Sequence, residues 1–70
     1  MGILVYPNPT GDILNIDTRL DVEVEIYNMT GKLMTKEVSK RIDLSNYTNG
    51  VYNLILIYNN KRFTKRVVKQ

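Results

Sequence analysis

Along residues 22–27 the apolar Val22, Val24 and Ile26 alternate with Glu23, Glu25 and Tyr27, a period of two that gives an extended segment one face for a core and one for water. On a helix the same residues would scatter around the circumference, so the segment reads as a half-buried strand. Leu14 and Ile16 alternate in the same way with Asn15 and Asp17. Ile3-Leu4-Val5-Tyr6 is a short apolar run stopped by Pro7-Asn8-Pro9-Thr10-Gly11, which predicts a strand followed by a turn, with each proline holding the residue before it extended. Asn28-Met29-Thr30-Gly31 reads as a hairpin loop in which Gly31 takes a positive φ, and the chain returns as a strand over residues 32–38. Ile42-Asp43-Leu44-Ser45 is a further short strand, and residues 46–50 turn the chain again. Residues 51–58, rich in β-branched and aromatic side chains, lead through the two-residue turn Asn59-Asn60 into a last strand over residues 61–69. Seven short strands with turn signals about every 8–12 residues predict an all-β fold, a seven-stranded immunoglobulin-like antiparallel β-sandwich.

Two segments do not fit a simple in-and-out alternation. In residues 51–58, Tyr52, Leu54, Leu56 and Tyr58 line one face while Val51, Ile55 and Ile57 leave Asn53 as the only polar residue on the other. A two-layer sandwich covers only the inner face, so the outer one is expected under a loop, under another domain or in a partner interface. In Lys65-Arg66-Val67-Val68-Lys69 charge and apolar side chains fall on both faces, and the segment reads as an edge strand protected by lysine, or as an exposed tail that a partner meets by strand pairing and by acidic groups.

Length and composition narrow the chemistry. Seventy residues make one small domain, with no room for a cleft between domains. A chain of this size buries only about 60% of its unfolded surface, and without cysteine no disulfide supplements that core. The absence of Cys and His removes thiol nucleophiles, histidine bases, the Ser-His-Asp arrangement and the usual zinc sites. Neither an enzyme nor a cofactor is expected. Asp12, Asp17, Asp21 and Asp43 lack the spacing of a calcium loop and read as surface carboxylates, so no metal site is expected. No apolar stretch approaches the roughly 20 residues of a membrane-spanning helix, and Met1-Gly2 opens no signal peptide, so the chain reads as a fragment of a larger protein. Asn28-Met29-Thr30 and Asn46-Tyr47-Thr48 match the N-glycosylation pattern, but both coincide with turns where asparagine serves the backbone.

The net charge of +3 is unevenly spread. Residues 12–25 hold five acids against Arg19 alone, whereas Lys61, Arg62, Lys65, Arg66 and Lys69 close the chain without an acid among them. Such an end can meet nucleic acid, an anionic glycolipid or an acidic protein surface.

Five pieces of the chain fall in a familiar order: Val5-Tyr6-Pro7-Asn8-Pro9-Thr10; Val24-Glu25-Ile26-Tyr27-Asn28 with Gly31-Lys32; Ile42-Asp43-Leu44-Ser45; Asn49-Gly50-Val51-Tyr52; and Lys65-Arg66-Val67-Val68-Lys69-Gln70. Together, from about Leu4 to Gln70, they resemble the type A C-terminal sorting domain of the type IX secretion system of Bacteroidota. The resemblance implies an immunoglobulin-like sandwich at the C-terminus of a larger cargo protein, acting as the signal that carries folded periplasmic cargo across the outer membrane. It also implies that a cell-surface sortase then removes the domain and joins the cargo to an anionic lipopolysaccharide. The implied partners are the type IX translocon, its outer-membrane shuttle and sortase proteins and an N-terminally fused cargo, with no nucleic acid among them. The implied location is the cell surface or the medium. Carried over to this sequence, the terminal basic-apolar signature falls on Lys65, Arg66, Val67, Val68, Lys69 and Gln70, and the glycine-tyrosine motif on Gly50 and Tyr52. These eight are the expected partner-binding residues, with Gly50 supplying a turn conformation and Tyr52 an inward anchor.

Two readings from other classes compete. An adhesive or carbohydrate-binding module of an extracellular enzyme would use some of the five tyrosines for sugar stacking. Nucleic-acid binding through the basic tail would be steeply salt-dependent. In isolation, the edge strands and the second apolar face give the domain a route to homodimerise or exchange strands.

Overall fold

Each alternating segment forms a strand in the computed structural model, which describes residues 3–19 and 21–70. Met1-Gly2, read from sequence as a fragment boundary, lies outside the described residues. The elements are β1 (Leu4–Tyr6), β2 (Ile13–Asp17), β3 (Glu23–Tyr27), β4 (Leu33–Val38), β5 (Arg41–Asp43), β6 (Gly50–Tyr58) and β7 (Lys61–Lys69). They make two antiparallel sheets, one of three strands in the order β1-β2-β5 and one of four in the order β4-β3-β6-β7. The fourth strand joins the sheet of β3, β6 and β7, whereas in constant-type immunoglobulin domains the fourth strand joins the first, second and fifth.

The inner faces follow the period of two. Leu14, Ile16 and Ile42 from the smaller sheet meet Val24, Ile26, Tyr52, Leu54, Leu56 and Val67 from the larger, with Val22 and Leu44 closing the gaps and all of them buried. Burying one such Leu or Ile contributes about 1.5–3 kcal/mol, which is the main favourable term available to a chain without disulfides. The radius of gyration, 11.1 Å, equals the roughly 11 Å expected for a closed domain of this length.

The hairpins are set by local chemistry. Asn59 and Asn60 hold φ of 49° and 61°, the mirror-image turn that matches strand twist, and asparagine tolerates that region better than most residues. At the β3–β4 turn Gly31 takes φ 84° as expected. There the Asn28 carboxamide oxygen accepts from the Thr30 and Lys32 amides, at 3.0 and 2.9 Å, and from the Thr30 hydroxyl at 2.7 Å. The turn therefore uses Asn28 for its own backbone, as the sequence reading favoured over a glycan.

The outer face of β6 has two kinds of cover. Asn28, Met29 and Gly31 of the β3–β4 turn share a groove with Asn53 and Ile55, and Val51, Asn53, Ile55 and Ile57 are all half-buried. The Arg62 guanidinium, on the β7 residue opposite Ile57, reaches across to the Glu25 carboxylate on β3 at 3.6 Å, and Lys36 on β4 approaches Glu23 and Glu25 at 3.5 and 3.9 Å. A cross-strand row of charges thus lays aliphatic stems over the isoleucines, a cover that period-two reasoning along a single strand cannot see.

Candidate functional site

The two motifs singled out from the sequence, Gly50/Tyr52 and residues 65–70, lie on neighbouring strands. In the β6–β7 ladder Gly50 pairs with Lys69, Val51 with Val68, Tyr52 with Val67, Asn53 with Arg66 and Leu54 with Lys65. Segments 13 or more residues apart in sequence thus become adjoining rungs. Because paired residues in an antiparallel ladder share a face, Gly50, Tyr52, Lys65, Val67 and Lys69 belong to the inner face, and Val51, Asn53, Arg66 and Val68 to the outer.

Burial separates these residues further. Val67 is 1% exposed and part of the core, Tyr52 5% and Lys69 7%, whereas Lys65, Arg66 and Gln70 are exposed and Val68 is half-buried. This corrects the expectation of a terminal strand that buries neither face: the C-terminal end of β7 buries its inner face, and only its earlier part, from Lys61 to Arg66, is exposed throughout. Lys61, Phe63 and Lys65 alternate onto the inner face as well, yet all three are exposed. Lys69 runs its stem inward and places Nζ 3.4 Å from the Asn49 carboxamide oxygen.

Tyr52 is an inward anchor as expected. Its hydroxyl donates to the Thr48 carbonyl at 2.7 Å, and its ring meets that of Tyr47 at 5.4 Å between centroids. A tyrosine bonded to the backbone a few residues upstream, at the corner where the chain crosses into its strand, is a device of immunoglobulin-like sandwiches called the tyrosine corner. Gly50 opens β6 with φ 153°, a conformation side chains with a Cβ rarely adopt, although a Cβ there would meet nothing within 4 Å. Its requirement is conformational rather than steric.

The free edge of β7 is also different from expectation. The Thr10 amide donates to the Val68 carbonyl at 2.8 Å and the Gln70 amide to the Thr10 carbonyl at 2.9 Å, a parallel bridge around Lys69. The Asn8 side chain donates to the Arg66 carbonyl at 2.9 Å and accepts from the Val68 amide at 3.0 Å. Thr10 itself is 1% exposed, and its hydroxyl donates to the Ile13 carbonyl at 2.7 Å. Among the described residues the backbone of β7 pairs only with β6 and with this loop, whose bonds close its edge from the Arg66 carbonyl to the Gln70 amide and leave residues 61–65 open. The sequence shows Pro7-Asn8-Pro9 only as part of a turn; that the loop grips the far end of the chain is a contact between residues 58 and 60 apart.

Around the outer face a shallow groove is lined by Tyr27, Met29, Asn53, Ile55, Arg62 and Thr64. Tyr27 donates to Glu25 at 2.9 Å, and that bond to a carboxylate holds its phenol above the ordinary tyrosine value. Among the described residues no group of three or more acids could hold a metal ion.

Across residues 4–70 the chain matches the family described as the secretion system C-terminal sorting domain. It is also 38% identical over 52 residues to Beta-agarase D of Zobellia galactanivorans, an alignment that covers 71% of this chain and 11% of that protein. The chain therefore spans about a tenth of the length of the curated relative it matches. With a two-sheet sandwich whose strands span residues 4–69 and a family match over the same stretch, this chain belongs to the C-terminal sorting domains of the type IX secretion system.

Proposed function

We propose that this domain directs an N-terminally attached cargo through the type IX pathway to the cell surface or medium, and that it does so by being bound rather than by catalysis. The partners are the translocon and its outer-membrane shuttle and sortase proteins, the last removing the domain after transit. The observation that carries the reading is the family match over residues 4–70. The recognised surface is the C-terminal corner of the β6–β7 pair, where Lys65, Arg66, Val68 and Gln70 are accessible and where Gly50, Tyr52, Val67 and Lys69 hold the two strands in register from within.

The test is fusion of residues 1–70 to a periplasmic reporter in a type IX-competent bacterium. The intact fusion is expected at the surface or in the medium, and a fusion lacking residues 65–70 is expected to stay in the periplasm. Retention of the intact fusion contradicts the reading. The other two readings lack such support. Tyr52 is buried and Tyr47 and Tyr58 pack against the core, which leaves few rings for sugar stacking. Of the terminal cations, Arg62 pairs with Glu25 and Lys69 turns inward, which thins the basic stripe that a nucleic acid would follow.

A further inference from the structure

We infer that Asn8 is a positioning residue for the terminal strand, holding residues 66–70 in one register and shutting their edge against strand addition. The inference rests on the functional reading above and specifies how that surface is read. In a parallel ladder, a residue on one strand donates its amide to the carbonyl before its partner and accepts at its carbonyl from the amide after it. Thr10 does this around Lys69, through Val68 and Gln70. One rung earlier, around Val67, the same two bonds go to Arg66 and Val68, but both come from the Asn8 carboxamide. The side chain stands in for a strand rung, with its amide nitrogen as the donor and its oxygen as the acceptor.

The consequence concerns the mode of recognition. Every outward-directed backbone group that these four bonds engage, at Arg66, Val68 and Gln70, is unavailable to an incoming strand while the loop holds. A partner that engages residues 66–70 of the folded domain must therefore read side chains, namely Arg66, Val68 and Gln70 with the adjacent Lys65. An aspartate or leucine at position 8 could not both donate and accept. The contact also explains why the interruption between β1 and β2 carries an asparagine between two prolines: the prolines fix the local backbone, and the carboxamide makes the long-range bonds.

The experiment compares the 70-residue domain with Asn8→Ala and with a core variant, Ile26→Val or Ile26→Ala, whichever lowers the thermal midpoint as much as Asn8→Ala does. Ile26 is buried in β3, away from the loop. Amide exchange is followed by NMR, and export by reporter fusion. In Asn8→Ala the Val68 amide is expected to exchange about five- to tenfold faster while the amides of Ile26 and Leu54 keep their protection, as expected for the local loss of one hydrogen bond. Its export is expected to fall several-fold below that of the matched core variant. Unchanged exchange at Val68, or export equal to that of the core variant, overturns the inference. If the unsubstituted fusion is itself retained, the functional reading fails, and the exchange pattern at Val68 alone then decides whether the latch exists.

Discussion

At the scale of single residues, the glycine-tyrosine motif is accounted for by conformation and by the hydrogen bonding of one hydroxyl. Tyr52→Phe removes the donor to the Thr48 carbonyl and the longer 3.3 Å contact with the Thr48 hydroxyl, and is expected to cost about 0.5–1.5 kcal/mol by chemical denaturation, with the sandwich otherwise intact. Gly50→Ala forces an alanine into φ 153° and is expected to cost about 1–3 kcal/mol in the same assay. Tyr47 supplies a pH signature. Burial, then the negative charge of Glu37 and the neighbouring Tyr52, raise its phenol above the ordinary tyrosine value of 10.0, opposed in part by a hydrogen bond from Thr35. A phenol whose folded pKa exceeds its unfolded one contributes stability that is present below pH 10 and lost as pH rises through the folded value. The thermal midpoint is therefore expected to drop above pH 10, and the drop to be shallower in Tyr47→Phe. An equal drop in both proteins would remove Tyr47 as its source.

At the scale of elements, the strands were legible because each contrasts its neighbours locally: Val24 and Ile26 against Glu23 and Glu25, Gly31 and Asn59-Asn60 at the reversals. Register inside a hairpin follows from its turn, so the Asn59-Asn60 turn read between residues 51–58 and 61–69 makes those two strands neighbours. Two other features have no local signature. The charged cover over Ile55 and Ile57 comes from Arg62, Glu25 and Lys36 on three different strands, and the grip on residues 66–70 comes from Asn8 and Thr10. Both depend on which strands become neighbours, which a period-two pattern does not encode. For the β6–β7 hairpin, Asn60→Ala is expected to lose about 1 kcal/mol, since alanine pays the left-handed penalty, whereas Asn60→Gly keeps or raises stability. Thermal midpoints of the two variants check this.

At the scale of the whole molecule, the small core sets the vulnerability. A domain of this size has on the order of 4–10 kcal/mol of total stability, and Leu54→Ala in the centre of β6 is expected to cost about 2–5 kcal/mol, a large share of it, read as a lowered denaturation midpoint. If the proposed recognition holds, the fold couples to sorting, because the motifs at 50–52 and 65–70 adjoin only when β6 and β7 are paired. A linear tail would offer the same terminal side chains without fixed register, without Tyr52 and without the loop from residues 8–10. The most direct measurement is the exported fraction of one reporter carrying residues 1–70 and of the same reporter carrying only residues 61–70. Export of the first with retention of the second is expected if the signal is a folded surface; equal export of both would contradict it.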